Sequence, residues 1–73
     1  MKVIGIEFRT SHAAADWAED NGGAVLTLPG GRCVAVSGRD SERIEAAGGP
    51  AAVRAGRRPR HWGRTILTVG AKP

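Results

Sequence analysis

Every run of strong hydrophobes in this chain is short, and three glycine pairs, Gly22-Gly23, Gly30-Gly31 and Gly48-Gly49, punctuate the sequence between them. That spacing excludes long helices and leaves room for brief strands and helices joined by tight turns. Several of the runs alternate apolar with polar residues, the period-two pattern of a half-buried strand. No stretch approaches the ~20 apolar residues of a membrane span. The 73 residues include fourteen Ile, Leu, Val and Phe, with twelve alanines adding only thin packing. A core of that size supplies roughly 3–5 kcal/mol of net stability, so a homodimer or a partner-stabilised state is a natural supplement.

In KVIGIEFR, Ile4, Ile6 and Phe8 share one face, while Val3, Gly5, Glu7 and Arg9 share the other. We expect the first set to face inward. Thr10 or Ser11 then caps a helix, because a hydroxyl accepts a bond from a first-turn amide. In HAAADWAED, Ala14, Trp17 and Ala18 form the inward stripe, and Asn21-Gly22-Gly23 ends it. AVLTL and RCVAVS flank Pro29-Gly30-Gly31, the clearest hairpin signal in the chain. Asp40 or Ser41 caps a second helix, ERIEAA, with Ile44 and Ala47 inward. Pro50 suits the first position of a further helical turn over AAVRA, and TILTV is the last strand.

The order strand, helix, strand, strand, helix, strand is that of a small α+β protein. It matches the βαββαβ ferredoxin-like two-layer sandwich, with two helices on one face of a four-stranded sheet. The competing arrangement is a βαββ sheet carrying a long basic arm. Residues 1–73 read as one domain, with 50–64 a basic loop or a short helix plus loop and 70–73 a tail. GIEFR, Gly5 to Arg9, resembles the glycine–aliphatic–any–Phe–Arg stretch of acylphosphatases, and GAVLTLPGGR, Gly23 to Arg32, is similar to their second strand and hairpin. The resemblance covers about a third of the chain and implies the ferredoxin-like fold, with Arg9 holding an acyl phosphate. The family's catalytic asparagine falls on Thr27, which cannot present a carboxamide to water. The gap between the two stretches is also shorter than the family's. The resemblance supports the fold and speaks against that activity.

Charge is segregated along the chain. Residues 1–49 hold five basic and seven acidic groups, whereas residues 50–73 hold six basic and none acidic, giving +4 in total. Nine arginines stand against two lysines, a bias that a GC-rich bacterial or phage genome explains without any functional cause. Their position is more informative than their number. Between Val53 and Thr65 lie five arginines, a histidine and a tryptophan, and such asymmetry suggests a polyanionic partner or an acidic protein surface. The single cysteine excludes an internal disulfide, and no secretory signal is evident, so we expect a cytoplasmic protein.

No catalytic set is legible. Cys33 sits beside the hairpin turn with nothing to bring His12 or His61 to it. Two separated histidines and one cysteine do not meet the ligand spacing of a metal site. The glycine pairs lack the phosphate-cradling patterns, and Asp16, Glu19 and Asp20 form a solvated helix face. We therefore expect no cofactor, no metal and no enzyme activity. The candidate partner-binding residues are Arg54, Arg57, Arg58, Arg60, His61, Trp62 and Arg64. Arginine and tryptophan dominate interface hot spots, which favours a larger acidic protein or nucleoprotein complex as the partner. On this reading the chain is a small accessory or inhibitor protein, from a phage or mobile element. Direct nucleic-acid binding is the alternative, with phosphates met by arginine and a base stacked on Trp62. A membrane is not expected as a partner.

Overall fold

Residues 1–57 and 60–70 are described by a computed structural model. In chain order the elements are β1 (Lys2–Phe8), α1 (Ser11–Asp20), β2 (Ala24–Leu28), β3 (Arg32–Val36), α2 (Gly38–Ala46), a 3₁₀ turn over Gly49–Ala52, β4 (Val53–Ala55) and β5 (Gly63–Val69). The strands form one antiparallel sheet in the order β2-β3-β1-β5-β4. The protein is thus a small α+β structure of two helices and a curled five-stranded sheet.

Local chemistry explains most boundaries. Thr10 Oγ1 accepts from the Ala13 amide at 3.1 Å and starts α1, and Gly22 leaves it at φ +63°. Gly23 is needed for closeness rather than for rotation: a Cβ there would lie 1.8 Å from the Val36 carbonyl oxygen. The β2–β3 hairpin turns at Pro29-Gly30-Gly31, with the Gly31 amide donating to the Leu28 carbonyl at 3.1 Å. Ser37, and not the expected Asp40 or Ser41, caps the second helix, its hydroxyl accepting a 3.3 Å bond from the Asp40 amide, so the helix starts at Gly38.

The sheet buries its two faces against different material. On the inner, concave face Val3, Leu26, Leu28, Val34, Val36, Val53, Leu67 and Val69 pack with Ile44 of α2. Each fully buried aliphatic there contributes ~1.5–3 kcal/mol. On the outer face α1 seats Ala14 and Ala18 on Cys33 and Ala35, with Phe8, Trp17 and Val25 around them. The helices therefore lie on opposite faces, which departs from the expected sandwich with both on one side. A fifth strand is the second departure. Val53–Ala55, expected as a helical turn, is β4, pairing Val53 with Val69 and Ala55 with Leu67. Gly48 and Gly49, at φ +125° and +79°, confine the helix-like backbone after α2 to the short Pro50 turn. The β-branched Val53 then gains burial by extending along β5.

The parity of β1 is also reversed from expectation. Val3, Gly5 and Glu7 face inward, while Ile4 lies 57% exposed and Ile6 and Phe8 are half-buried on the outer face. Two contacts set this register. A Cβ on Gly5 would stand 2.4 Å from Val34 Cγ1, so only glycine allows β1 and β3 to pack there. Glu7, fully buried, meets Arg32 in a two-pronged ion pair: Nε donates to Oε2 at 2.8 Å and Nη2 to Oε1 at 2.7 Å. The remaining prong, Nη1, donates to the Gly56 carbonyl at 2.7 Å. Arg32 thus ties β3, β1 and the end of β4 together. Its bond to Glu7, more than the opposing effect of burial, holds its pKa above the ordinary arginine value.

Candidate docking surface

α1 packs against β2, β3 and β1 and leaves the outer face of β5 and β4 open. The register places three rows of side chains on that open half. Lys2 and Arg54 flank Thr68; Ile4 pairs with Ile66; Ile6 pairs with Arg64. Neighbouring strands stand ~4.8 Å apart and same-face residues ~6.7 Å apart along a strand, so the set forms one continuous patch. Ile4 and Ile66 are each 57% exposed, and Lys2, Arg54, Arg64 and Thr68 are exposed around them. No carboxylate lies on these positions. Two adjacent β-branched side chains thus stand partly in water, rimmed by three cations.

The patch runs into the segment between β4 and β5. A groove of about 360 Å³, lined by Gly56, Arg57, Arg64, Thr65 and Ile66, joins the two. Arg57, Arg60 and His61 are exposed, and Trp62 is 48% exposed. The segment starts at Gly56, the residue whose carbonyl Arg32 holds, so an inner-face ion pair fixes where the basic stretch leaves the sheet. Of the seven residues expected to meet a partner, Arg54 and Arg64 thus stand on the open sheet face, and Arg57, Arg60, His61 and Trp62 lie in the β4–β5 connection. Arg58 falls outside the described residues, as does the expected tail beyond residue 70. Lys2, Ile4 and Ile66 were not expected as site residues. Their signal was present only as the alternation of β1 and β5, whose parity the sequence left open.

Other features leave less to work with. Cys33 is buried beneath α1, its thiol donating to the Gly31 carbonyl at 3.6 Å. His12, on the exposed side of α1, lies 3.5 Å from Asp16. Arg9 is exposed just past β1, and Thr27 is exposed on β2. Among the described residues no three His, Cys, Asp or Glu side chains converge as metal ligands. No helix among them is long and apolar enough to cross a membrane. A second groove of about 370 Å³ lies between the converging edges of the sheet, lined by Leu28, Pro29, Ala51, Val53, Ala55 and the arginines at 32 and 54. No protein-family model, curated protein or solved structure matches this chain.

Proposed function

We propose that this is a non-catalytic interaction protein that docks on an acidic surface of a larger protein or nucleoprotein complex and modulates or inhibits it. The observation that carries the reading is the exposed Ile4–Ile66 pair rimmed by Lys2, Arg54 and Arg64 and continuous with Arg57, Arg60, His61 and Trp62. Desolvating the two isoleucines supplies affinity, at ~25 cal/mol per Å² of apolar surface removed from water. The cations steer encounter and select against basic surfaces. A phosphate backbone gives two isoleucines nothing to bury against, which is why a protein surface is favoured over bare nucleic acid. The small size and the segregated charge fit an accessory protein of a phage or mobile element acting in the cytoplasm, such as an inhibitor of a host defence complex. As to fold, the neighbour order β2-β3-β1-β5 supports reading the sheet as a variant of the ferredoxin-like one, while the helices on opposite faces speak against it.

The test is affinity capture from a bacterial lysate with the wild-type chain and two folded variants. Ile4→Ser/Ile66→Ser removes the apolar centre, and Arg57→Glu/Arg60→Glu inverts the charge of the connection. Specific capture by wild type, lost in both variants, supports the reading; equal capture by all three removes it. The second reading, direct nucleic-acid binding, draws on the half-exposed Trp62 among Arg57, Arg60 and His61. A gel shift decides it, since neutralised duplex phosphates give a log–log salt slope of about −0.9 each. An acylphosphatase-like hydrolase is the weakest reading, with threonine at the asparagine position.

A further inference from the structure

On the outer face α1 stands as a ridge beside the open shelf formed by β1, β5 and β4. The two halves of this stepped surface carry opposite charge. Ala14, Trp17 and Ala18 turn toward the sheet, so Asp16, Glu19 and Asp20 occupy the exposed side of the ridge. The shelf presents Lys2, Arg54 and Arg64. Among the described residues the salt bridges are His12–Asp16, Arg32–Glu7 and Arg43–Asp40; none of these joins ridge to shelf within one molecule.

We propose that a second copy of this chain docks on the shelf, ridge into step, to form an isologous homodimer. A two-fold axis lying between the facing sheets puts the α1 ridge of each copy on the shelf of the other. Such an axis makes every contact twice, and here each contact joins three carboxylates to three cations. The lengths also agree: a ten-residue helix is ~15 Å long, and Lys2 to Ile6 spans ~13 Å at 3.3 Å per residue. Ile4 and Ile66 become covered by the Ala15 methyl and the side-chain methylenes of the partner's ridge. Face-to-face stacking of the two shelves alone would instead set six cations against one another. Because its contacts are exposed charge pairs, the dimer is expected to be reversible and to weaken as salt screens the charge. The second copy takes the same shelf as the docking function proposed above, so dimer and partner compete for it, and the test of the dimer needs only purified chain.

Sedimentation equilibrium of the full chain over a concentration series should give a mass rising toward twice the monomer's at low salt and falling back at high salt. Two charge-swapped variants then identify the surface. Arg54→Glu/Arg64→Glu makes the shelf acidic, and Asp16→Lys/Glu19→Lys makes the ridge basic. All four positions are exposed, and lysine near a helix C-terminus is favoured by the helix dipole, so native circular dichroism is expected in both. Each variant alone should be monomeric. Mixed, they restore complementarity at both contacts and should form a heterodimer of twice the monomer mass. A wild type that stays monomeric at its highest soluble concentration overturns the proposal. So does association that neither swap disturbs, or a mixture of folded variants that stays monomeric. If the dimer forms while lysate capture fails, the docking function falls and this inference stands; the converse result separates them the other way.

Discussion

Replacing Arg32 with alanine should be the most damaging single charge deletion in the molecule. Glu7 is 0% exposed and the Arg32 side chain 13%, so this pair lies far from the screened surface regime. Removal of the guanidinium takes three hydrogen bonds of 2.7–2.8 Å, two of them made to a buried carboxylate. Breaking one partner of such a pair costs ~3–5 kcal/mol. The whole domain has only roughly 3–5 kcal/mol to lose. Urea unfolding followed by tryptophan fluorescence, analysed by linear extrapolation, should therefore show Arg32→Ala near the limit of folding. Glu7→Leu/Arg32→Leu removes both charges at similar volume and should recover most of the loss, since apolar replacement of a buried pair is often neutral or stabilising. Arg32→Lys keeps the charge but loses the fork and the hold on Gly56; it should fall between. The sign with pH follows from the raised Arg32 pKa: the cation's contribution is complete below the ordinary arginine value and disappears only as pH climbs through the higher folded one. Alkaline unfolding should not begin at this residue. If Arg32→Ala costs under ~1 kcal/mol, the pair is not what sets the register of β1.

Trp17→Ala removes the largest side chain around the α1 seat and should cost ~3 kcal/mol, read by the same urea titration; native stability would show that the alanine contacts alone hold the helix. Gly23→Ala drives a methyl into the Val36 carbonyl and should abolish cooperative thermal unfolding, whereas Gly22→Ser at φ +63° has open space and should only lower Tm by a few degrees. Arg9→Ala and Cys33→Ala should leave partner capture from lysate within a few-fold of wild type, because neither group reaches the open sheet face. Loss of capture in a folded variant of either would draw the site away from that face.

The sequence spoke most clearly where structure is local. The Thr10 cap, the glycine exit from α1, the Pro29-Gly30-Gly31 hairpin and the inward Ile44 each depend on residues within a turn of one another, and all appear as read. What stayed hidden depends on contacts between distant segments. Aliphatic content pointed Ile4, Ile6 and Phe8 inward, but Gly5 against Val34 and Glu7 against Arg32 outweighed it. Both contacts join residues more than twenty positions apart. β4 escaped notice because Pro50 and two alanines favour a helical turn locally, while the edge of β5 that rewards extension comes ten residues later. The docking surface was half legible for the same reason. Its arginines announced themselves by clustering, but its apolar centre appears only once β1 and β5 are paired in register.

The pairing of β1 with β5 has a consequence for the order of events during synthesis. Val3 meets Leu67 at the centre of the sheet, so the middle of the fold joins segments from opposite ends of the described chain. Until β5 emerges, β1 can be held on one side only, by β3, and the inner face lacks Leu67 and Val69. Closing so long a loop costs entropy before its contacts give anything back, and folding rates fall as contacts become more distant in sequence. The nascent chain should therefore wait as a loose β1–α1–β2–β3 unit with one long strand edge unpaired. An edge of that kind invites pairing with another chain. The chain should thus be more prone to aggregate before β5 is made than after β5 has covered that edge of β1.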